Sequence, residues 1–519
     1  MAQVFPSSVY YSFVMINRDG TNASLWQKTS PAYRSTNKPA KNAVYDVIIV
    51  GGGITGVATG LRLQESGLKC IILEAKNLCF GTTGGTTAHI NTLLDNPYTM
   101  IASNFGKENA KRVASAAKDA VALIKKNIRQ HSIDCSFEGV TAYLFSQNKQ
   151  QTKELEDIFA ATKDAGLPIS YTQKLPFETT FDKAVKVAGQ GKFHPVRYVY
   201  GLAKAFEEAG GVIVQNARVL SVDNSDPLLI KTNRSSFRGK LAIYATHTPL
   251  GINLLHLRLQ PYRSYAMAVT LRDKKYPEDL AYDMYDPYHY YRSQEIDGKK
   301  YLIVGGYDHK TGKREDTETC FTDLEALIRK KFNVAAVLAR WSSQYFEPAD
   351  GLPYIGYLPG AGKKVLVATG FGGNGMTYSH VAALVLAAIV KRKKSDYTSL
   401  FDPGRIKPVA GFKSFVSQNV EVVKNFMSKI FSSDKIEGFS EIKPGEARIV
   451  SYEKENLAVY KDENGNVSAV NPACAHMKCT VAFNPSELSW DCPCHGARYA
   501  VNGEVLTGPA SHDLERWGS

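Results

Sequence analysis

No stretch of this 519-residue chain is apolar for long enough to cross a bilayer. The longest uninterrupted run, "VAALVLAAIV", covers residues 381–390, and a spanning helix needs about 20. The first residues lack the basic start and long apolar centre of a secretory signal. The expectation is a cytoplasmic protein, with Met15 a candidate natural start and residues 1–14 a disordered extension. There are no internal repeats. Despite a net charge of +13, no dense Lys/Arg stripe interleaved with aromatics is present, so nucleic acid is not an expected partner. Cysteine is sparse outside one place. Four of the eight lie between residues 474 and 494, while Cys70, Cys79, Cys135 and Cys320 are scattered. That distribution excludes a disulfide framework and favours metal chemistry.

What is there is ordinary in bulk and uneven in detail. Hydrophobic residues make up 44% and charged residues 22%, the composition of a globular protein of roughly two to four domains. Residues 436–519 carry seven Lys/Arg against twelve Asp/Glu, a net of −5, which leaves +18 for the rest. A basic body with an acidic tail favours mutual docking.

"YDVIIV" (45–50) reads as a buried parallel strand, followed by a glycine loop, a helix closed by Gly67, and a second strand, "KCIILEA". Helices are expected at 108–131 and 153–166, and a helix followed by two strands at 199–224. Residues 240–246 form a further buried strand, and 363–375 a strand with a glycine turn that opens an apolar helix. Residues 260–345 alternate apolar and polar, many of them tyrosine, and suggest a largely antiparallel second layer. An amphipathic helix at 414–431 reads as a linker packed on the body, and from 436 the texture becomes short strands and turns.

The loop "GGGITG" places Gly51, Gly53 and Gly56 at G-x-G-x-x-G spacing, with Gly52, Ile54 and Thr55 between them. The first glycine permits the turn, the second lets backbone N–H groups approach a pyrophosphate, and the third lets helix and strand pack closely. Glu74, followed by Ala75, ends the next strand, where a ribose hydroxyl would be bound. "FGTTGGTTAH" (80–89) supplies Gly81, Thr82, Thr83, Thr86 and Thr87 beside a second phosphate. A later match to the spacing, at Gly370, Gly372 and Gly375, has no acid-ended strand after it. It reads instead as a turn, with Gly373, Met376 and Thr377, that aims a helix N-terminus at the far end of a flavin.

On these residues the chain resembles the D-amino-acid-oxidase (glycine-oxidase, sarcosine-oxidase) superfamily of FAD enzymes, over most of residues 45–395. The resemblance implies that Val219, in "ARVLSV", lies on the adenine side and that "DGLPYIG…ATGFGGNGMT" lies by the isoalloxazine ring. It implies oxidation of an amine or amino acid by hydride transfer from a C–N bond. No residue matches a covalent attachment motif well, so FAD is expected to be non-covalent.

Near the end, "CAHMKC" (474–479) and "CPCHG" (492–496) offer Cys474, His476, Cys492 and His495 as C-x-H, fifteen residues, then C-x-x-H. Two thiolates and two imidazoles suit tetrahedral zinc or a Rieske [2Fe–2S] centre. With Cys479 and Cys494 the pattern closely resembles the Rieske family of the cytochrome bc type. The resemblance implies a Cys479–Cys494 disulfide tying the two loops together. It also implies a bond from the Tyr499 hydroxyl to a ligand sulfur, and a covering loop at Gly508, Pro509 and Ala510. Ala497 stands where high-potential members have a serine that bonds a bridging sulfide, so a lower potential is expected.

The expected fold is therefore an α/β Rossmann-like FAD-binding domain with an inserted antiparallel-sheet substrate domain, plus a small all-β Rieske domain. Its parts are a leader (1–43), an FAD-dependent domain (44–395, substrate subdomain mainly 135–200 and 250–345), a helical linker (396–435) and the Rieske domain (436–519). This order, with "SLWQKTSP" at 24–31, resembles a group of bacterial fusion flavoproteins. The expected function is flavin-dependent oxidation of a small molecule, with electrons passed from FAD to the cluster and on to an external protein or quinone. Competing readings are an electron-transfer module without its own substrate and a Rieske oxygenase; the latter needs a mononuclear iron triad, and none is legible. For substrate contact, "YDPYHYYRS" (285–293) places Tyr288, Tyr290 and Arg292 on one strand face. Arg292 would clamp a carboxylate, with His89 and Tyr378 bordering the substrate. "GGYDHKTG" (305–312) is either a closing loop or a plain hairpin turn.

Overall fold

The structure is a computed structural model that describes residues 18–405 and 434–518. The expected helix at 414–431 lies outside the described residues. The β-branched run Val44–Val50 becomes the middle of a parallel sheet because both of its faces are covered: Val47, Ile48 and Ile49 are wholly buried. On one side it pairs with Cys70–Leu73 and then Val212–Val214, and on the other with Ser236–Tyr244 and then Val365–Thr369. Antiparallel strands Tyr354–Tyr357, Leu228–Thr232 and Val219–Asp223 complete eight strands. Helix Gly375–Val390 is buried on nearly every side, as an all-round apolar helix must be. It packs on Ile54–Gln64 and Lys107–Gln130.

The second layer is a nine-stranded sheet. Its long strands Leu259–Leu271, Lys299–Lys310 and Val334–Pro348 are antiparallel neighbours, and His289–Ile296 continues the sheet towards Leu280–Asp283 and Glu138–Ser146. Within this region helix Glu318–Lys331 interrupts the largely antiparallel layer that the alternation at 260–345 suggested. It covers the sheet with Phe321, Leu324 and Ile328.

The C-terminal part is two four-stranded sheets. One runs through Ala447–Tyr452, Glu455–Lys461 and Val467–Val470; the other is Ala482–Asn484, Ser489–Asp491, Arg498–Ala500 and Val505–Thr507. It sits on the body through a buried ionic network. Arg18, Arg263 and Arg498 meet Asp19, Glu487 and Asp491, with ion pairs of 3.0–3.4 Å and side chains no more than 3% exposed. Arg218 adds a pair to Asp513 at 3.1 Å, and Lys76 pairs with Glu504. Four basic residues from outside the tail thus meet four acidic residues of the tail, the pairing that the uneven charge favours. No helix of the described residues is long and apolar enough to cross a membrane.

Candidate functional site

The glycine loop folds as its spacing requires. Gly51 has φ +113°, and a Cβ there would stand 2.5 Å from the Ala245 carbonyl oxygen. A Cβ on Gly56 would stand 2.0 Å from the Gly51 oxygen, so the helix can lie this close to the loop only as glycine. Glu74 accepts from the Gly52 N–H at 2.6 Å and the Lys76 N–H at 2.9 Å. Burial, only partly countered by these bonds, raises its pKa. Thr83 Oγ1 accepts from the Ile54 N–H at 3.1 Å and ties the hydroxyl-rich loop to the helix start.

Around this loop lies a large cavity. Its walls include Gly51, Gly53, Ile54, Thr55, Glu74, Ala75, Gly81, Thr82, Thr83, Thr86, Thr87, Val219, Gly372, Gly373, Gly375 and Met376. Gly52, Gly56, Gly370 and Thr377, also expected at the cofactor, are not part of the wall. Gly370 takes φ +75°, and Thr377 Oγ1 donates to the Asn91 oxygen at 2.7 Å. A pyrophosphate-bearing dinucleotide fits this cradle, because the loop must be glycine and the first residues of the helix, Ile54 and Thr55, line the cavity.

Of the substrate-contact candidates, Tyr290, Tyr288 and His89 line the cavity. Arg292 does not, and the carboxylate clamp expected of it is corrected. It keeps the strand parity of Tyr290, but its guanidinium is wholly buried and donates to Thr87 O and Ala88 O at 2.8 Å and to the Gln294 side chain. It holds a loop in place and has no free edge for a ligand. Tyr378 is buried outside the wall. Sequence reasoning missed Asn91, Asp95, Ser264, Tyr282 and Tyr345, which line the cavity from separate loops and strands. Residues 305–312 are strand up to Lys310 with a turn after it, and Asp308 from that strand reaches the cavity. His89 Nδ1 and Tyr282 Oη are 2.7 Å apart, while His89 Nε2 is buried without a partner. Burial, with Arg292 and Lys192 nearby, holds this imidazole neutral by driving its pKa far down.

The second site lies at the tips of the two C-terminal loops. Cys479 and Cys494 form a disulfide. The rings of His476 and His495 are 5.0 Å apart, and their Nδ1 atoms are buried with no partner. Burial lowers both pKa values, that of His495 to about 3 with help from His476, so both are neutral, as metal ligation requires. Cys474 Sγ lies 3.1 Å from Tyr499 Oη, which also accepts from the Ala475 N–H. Its pKa is lowered to about 6 because Cys492, and then Tyr499, donate to the thiolate. Two buried thiols beside two orphaned imidazole nitrogens fit a mixed sulfur–nitrogen cluster. Cys492 Sγ is also within 4.8 Å of the disulfide sulfurs, but these are not thiolates and offer no competing three-cysteine site.

The two sites adjoin. Residues 505–508, Ala510 and Ser511 form part of the cavity wall. His476 Nε2 lies 3.1 Å from the Gly251 oxygen, and the buried His256 ring lies 4.7 Å from His476 and 5.8 Å from His495.

Ala497 is wholly buried, and its carbonyl accepts from the Cys492 N–H at 2.7 Å. Ala497→Ser would add one hydroxyl donor beside the candidate ligand. The expected result is a cluster potential raised by about 40–60 mV, the equivalent of one hydrogen bond of ~1–1.5 kcal/mol. Redox titration checks it; an unchanged or lower potential would refute the idea.

Comparison with known proteins agrees with both halves. The family model described as FAD dependent oxidoreductase (DAO) matches residues 46–389, and that of the Rieske [2Fe-2S] domain matches 435–518. A Bacillus subtilis (strain 168) protein, named as a Rieske 2Fe-2S iron-sulfur protein YhfW, is 30% identical over 94% of this chain and 96% of its own. The gamma-glutamylputrescine oxidoreductase of Escherichia coli K12 is 21% identical over 71% of this chain and 89% of its own. Glycine oxidase from Geobacillus kaustophilus has the same fold as the body. Its TM-score is 0.58 at 18% identity, over 70% of this chain and 99% of that one. The chain therefore belongs to the DAO family of FAD-dependent oxidoreductases and carries a C-terminal Rieske domain that binds a [2Fe–2S] cluster.

Proposed function

We propose that this oxidoreductase oxidises the C–N bond of an amine or amino acid and sends the electrons through the Rieske cluster to an external acceptor, a protein or a quinone. The observation that carries the reading is the adjacency of the two sites: the tail's 505–511 segment walls the cavity that the glycine loop opens. When bound, FAD accepts a hydride and its two electrons, and the [2Fe–2S] cluster carries one electron at a time.

The chain's own residues do the rest. Gly51–Gly56, Glu74 and Val219 hold the dinucleotide without a covalent bond. Tyr290 and neutral His89 orient the substrate, and the docked tail excludes water from one side. Cys474, Cys492, His476 and His495 hold the cluster. Residues 44–395 and 436–519 serve as the two functional domains, in the cytoplasm. The names glycine oxidase and gamma-glutamylputrescine oxidoreductase support a C–N substrate.

The test is reduction of the purified protein without air, followed by visible and EPR spectroscopy. The expected result is a bleached flavin together with the low-average-g signal of a mixed Cys/His cluster. A flavin that bleaches while the cluster stays oxidised, over many turnovers and with no transfer between the two, would refute the wire.

A further inference from the structure

The part of the cavity away from the glycine loop carries two carboxylates and an aromatic wall. Asp308 accepts from Ser264 Oγ and, at 2.9 Å, from Tyr345 Oη. Asp95 accepts from Asn374 Nδ2 at 3.0 Å and is open to the cavity. Tyr282, Tyr288, Tyr290 and His89 line the same space, and His89 meets Tyr282 and Tyr290 edge-on at 5.3 and 5.6 Å.

Among the described residues no lysine or arginine pairs with these acids. Among the described residues, Arg218 is the only arginine or lysine lining the cavity. It comes from the segment beside Val219, where it pairs with Asp513 and donates to the Val505 oxygen. Arg292 spends its guanidinium on backbone oxygens and Gln294. Lys192, with its side chain wholly buried, pairs with Glu138 and donates to the Glu278 oxygen. A substrate carboxylate placed here would face Asp95 and Asp308 with no cationic partner. An ammonium would gain charge-assisted bonds from them and the faces of the rings around it. Enclosure has pushed both carboxyls upward, Asp308 to about 7 and Asp95 to about 6, so a bound cation would stabilise their ionised forms.

We propose that the substrate is a cationic amine without a carboxylate, recognised by Asp308 and Asp95 inside the tyrosine–histidine wall. The inference rests on the C–N oxidation reading and narrows it: of amine and amino acid, the pocket takes the amine.

Calorimetry on the FAD-loaded full chain tests this with butylamine and 1,4-diaminobutane against butyrate and alanine. The amines are expected to bind at least about tenfold tighter than the carboxylates. Asp308→Asn should weaken the amines by about tenfold or more, with FAD content unmoved and butyrate binding no weaker than in wild type. Asp95→Asn gives the same test where Asp308→Asn does not fold. Carboxylates binding as tightly as amines, or amine affinity untouched by either variant, would overturn the proposal. Anaerobic flavin bleaching separates it from the reading beneath. Bleaching by alanine and not by butylamine sinks the selectivity and keeps the oxidation. Selective amine binding with no bleaching keeps the selectivity and sinks the oxidation.

Discussion

Asp491→Ala is expected to destabilise the protein by about 3–5 kcal/mol, the usual result of removing one member of a buried ion pair. Asp491 is 1% exposed and lies within 3.4 Å of both Arg263 and Arg498. The network holds three arginines and three acids from three places: the N-terminal segment (Arg18, Asp19), the body (Arg263) and the tail (Glu487, Asp491, Arg498). It is neutral only as a whole, and loss of one acid leaves an uncompensated buried charge. The double variant Asp491→Leu with Arg263→Met restores neutrality and should recover most of the loss. A double-mutant cycle in urea measures that coupling. Additive losses would mean that the arginines are solvated independently and that the tail is held by other contacts.

The same group fixes an acid limit. Burial alone would raise the Asp491 pKa, but Arg498 and Arg263 outweigh it and hold the carboxyl down to about 2. A carboxyl depressed below its unfolded value of about 3.9 stabilises the fold above that pH, and the contribution is lost as pH falls through the folded value. Roughly 2–3 kcal/mol should therefore disappear between about pH 4 and pH 2 in wild type, and not in the Asp491→Leu, Arg263→Met variant. Acid unfolding followed by tryptophan fluorescence reports it, since Trp490 sits beside Asp491 in the same strand.

The parts legible in sequence are those whose chemistry is local. A glycine loop between a strand and a helix must bring its own N–H groups together, and two Cys/His loops carry most of their ligand geometry within a few residues. Both sites could be located from short stretches. Strand alternation was also right in parity for Arg292, which follows Tyr290 by two positions. Parity does not say how far a long side chain travels, and this one turns to the carbonyls of Thr87 and Ala88. Asp95 and Asp308 were hidden for another reason. They are over 200 residues apart and flank ordinary turn-like text, so only the folded cavity brings them together. Arg18 and Asp19 fall in what reads as a polar leader, yet they sit at the centre of the docking network. The charge split between body and tail signalled docking without naming the residues that perform it.

Cys492→Ala is expected to remove the cluster and leave the flavin and the docked tail in place. Cys492 is a buried free thiol hydrogen-bonded to Cys474, so its loss halves the thiolates at the site. Changing even the residues that orient metal ligands typically costs 10–100-fold in affinity or activity, and loss of a ligand itself exceeds that. Iron content should fall below about a tenth of wild type, and the low-g EPR signal should vanish. The tail should remain docked, because Asp491 and Arg498 anchor it without using the cluster. Flavin bleaching by substrate without air should proceed as before, since no cysteine lines the cavity among the described residues. Reduction of cytochrome c, too large to enter that cavity, should fall by about 100-fold or more. Cys135→Ala, a buried free thiol in the body, controls for general damage and should change none of these. Unimpaired cytochrome c reduction by an iron-free Cys492→Ala protein would mean that electrons leave from the flavin directly. The tail would then be a wall of the substrate cavity and no part of the route out.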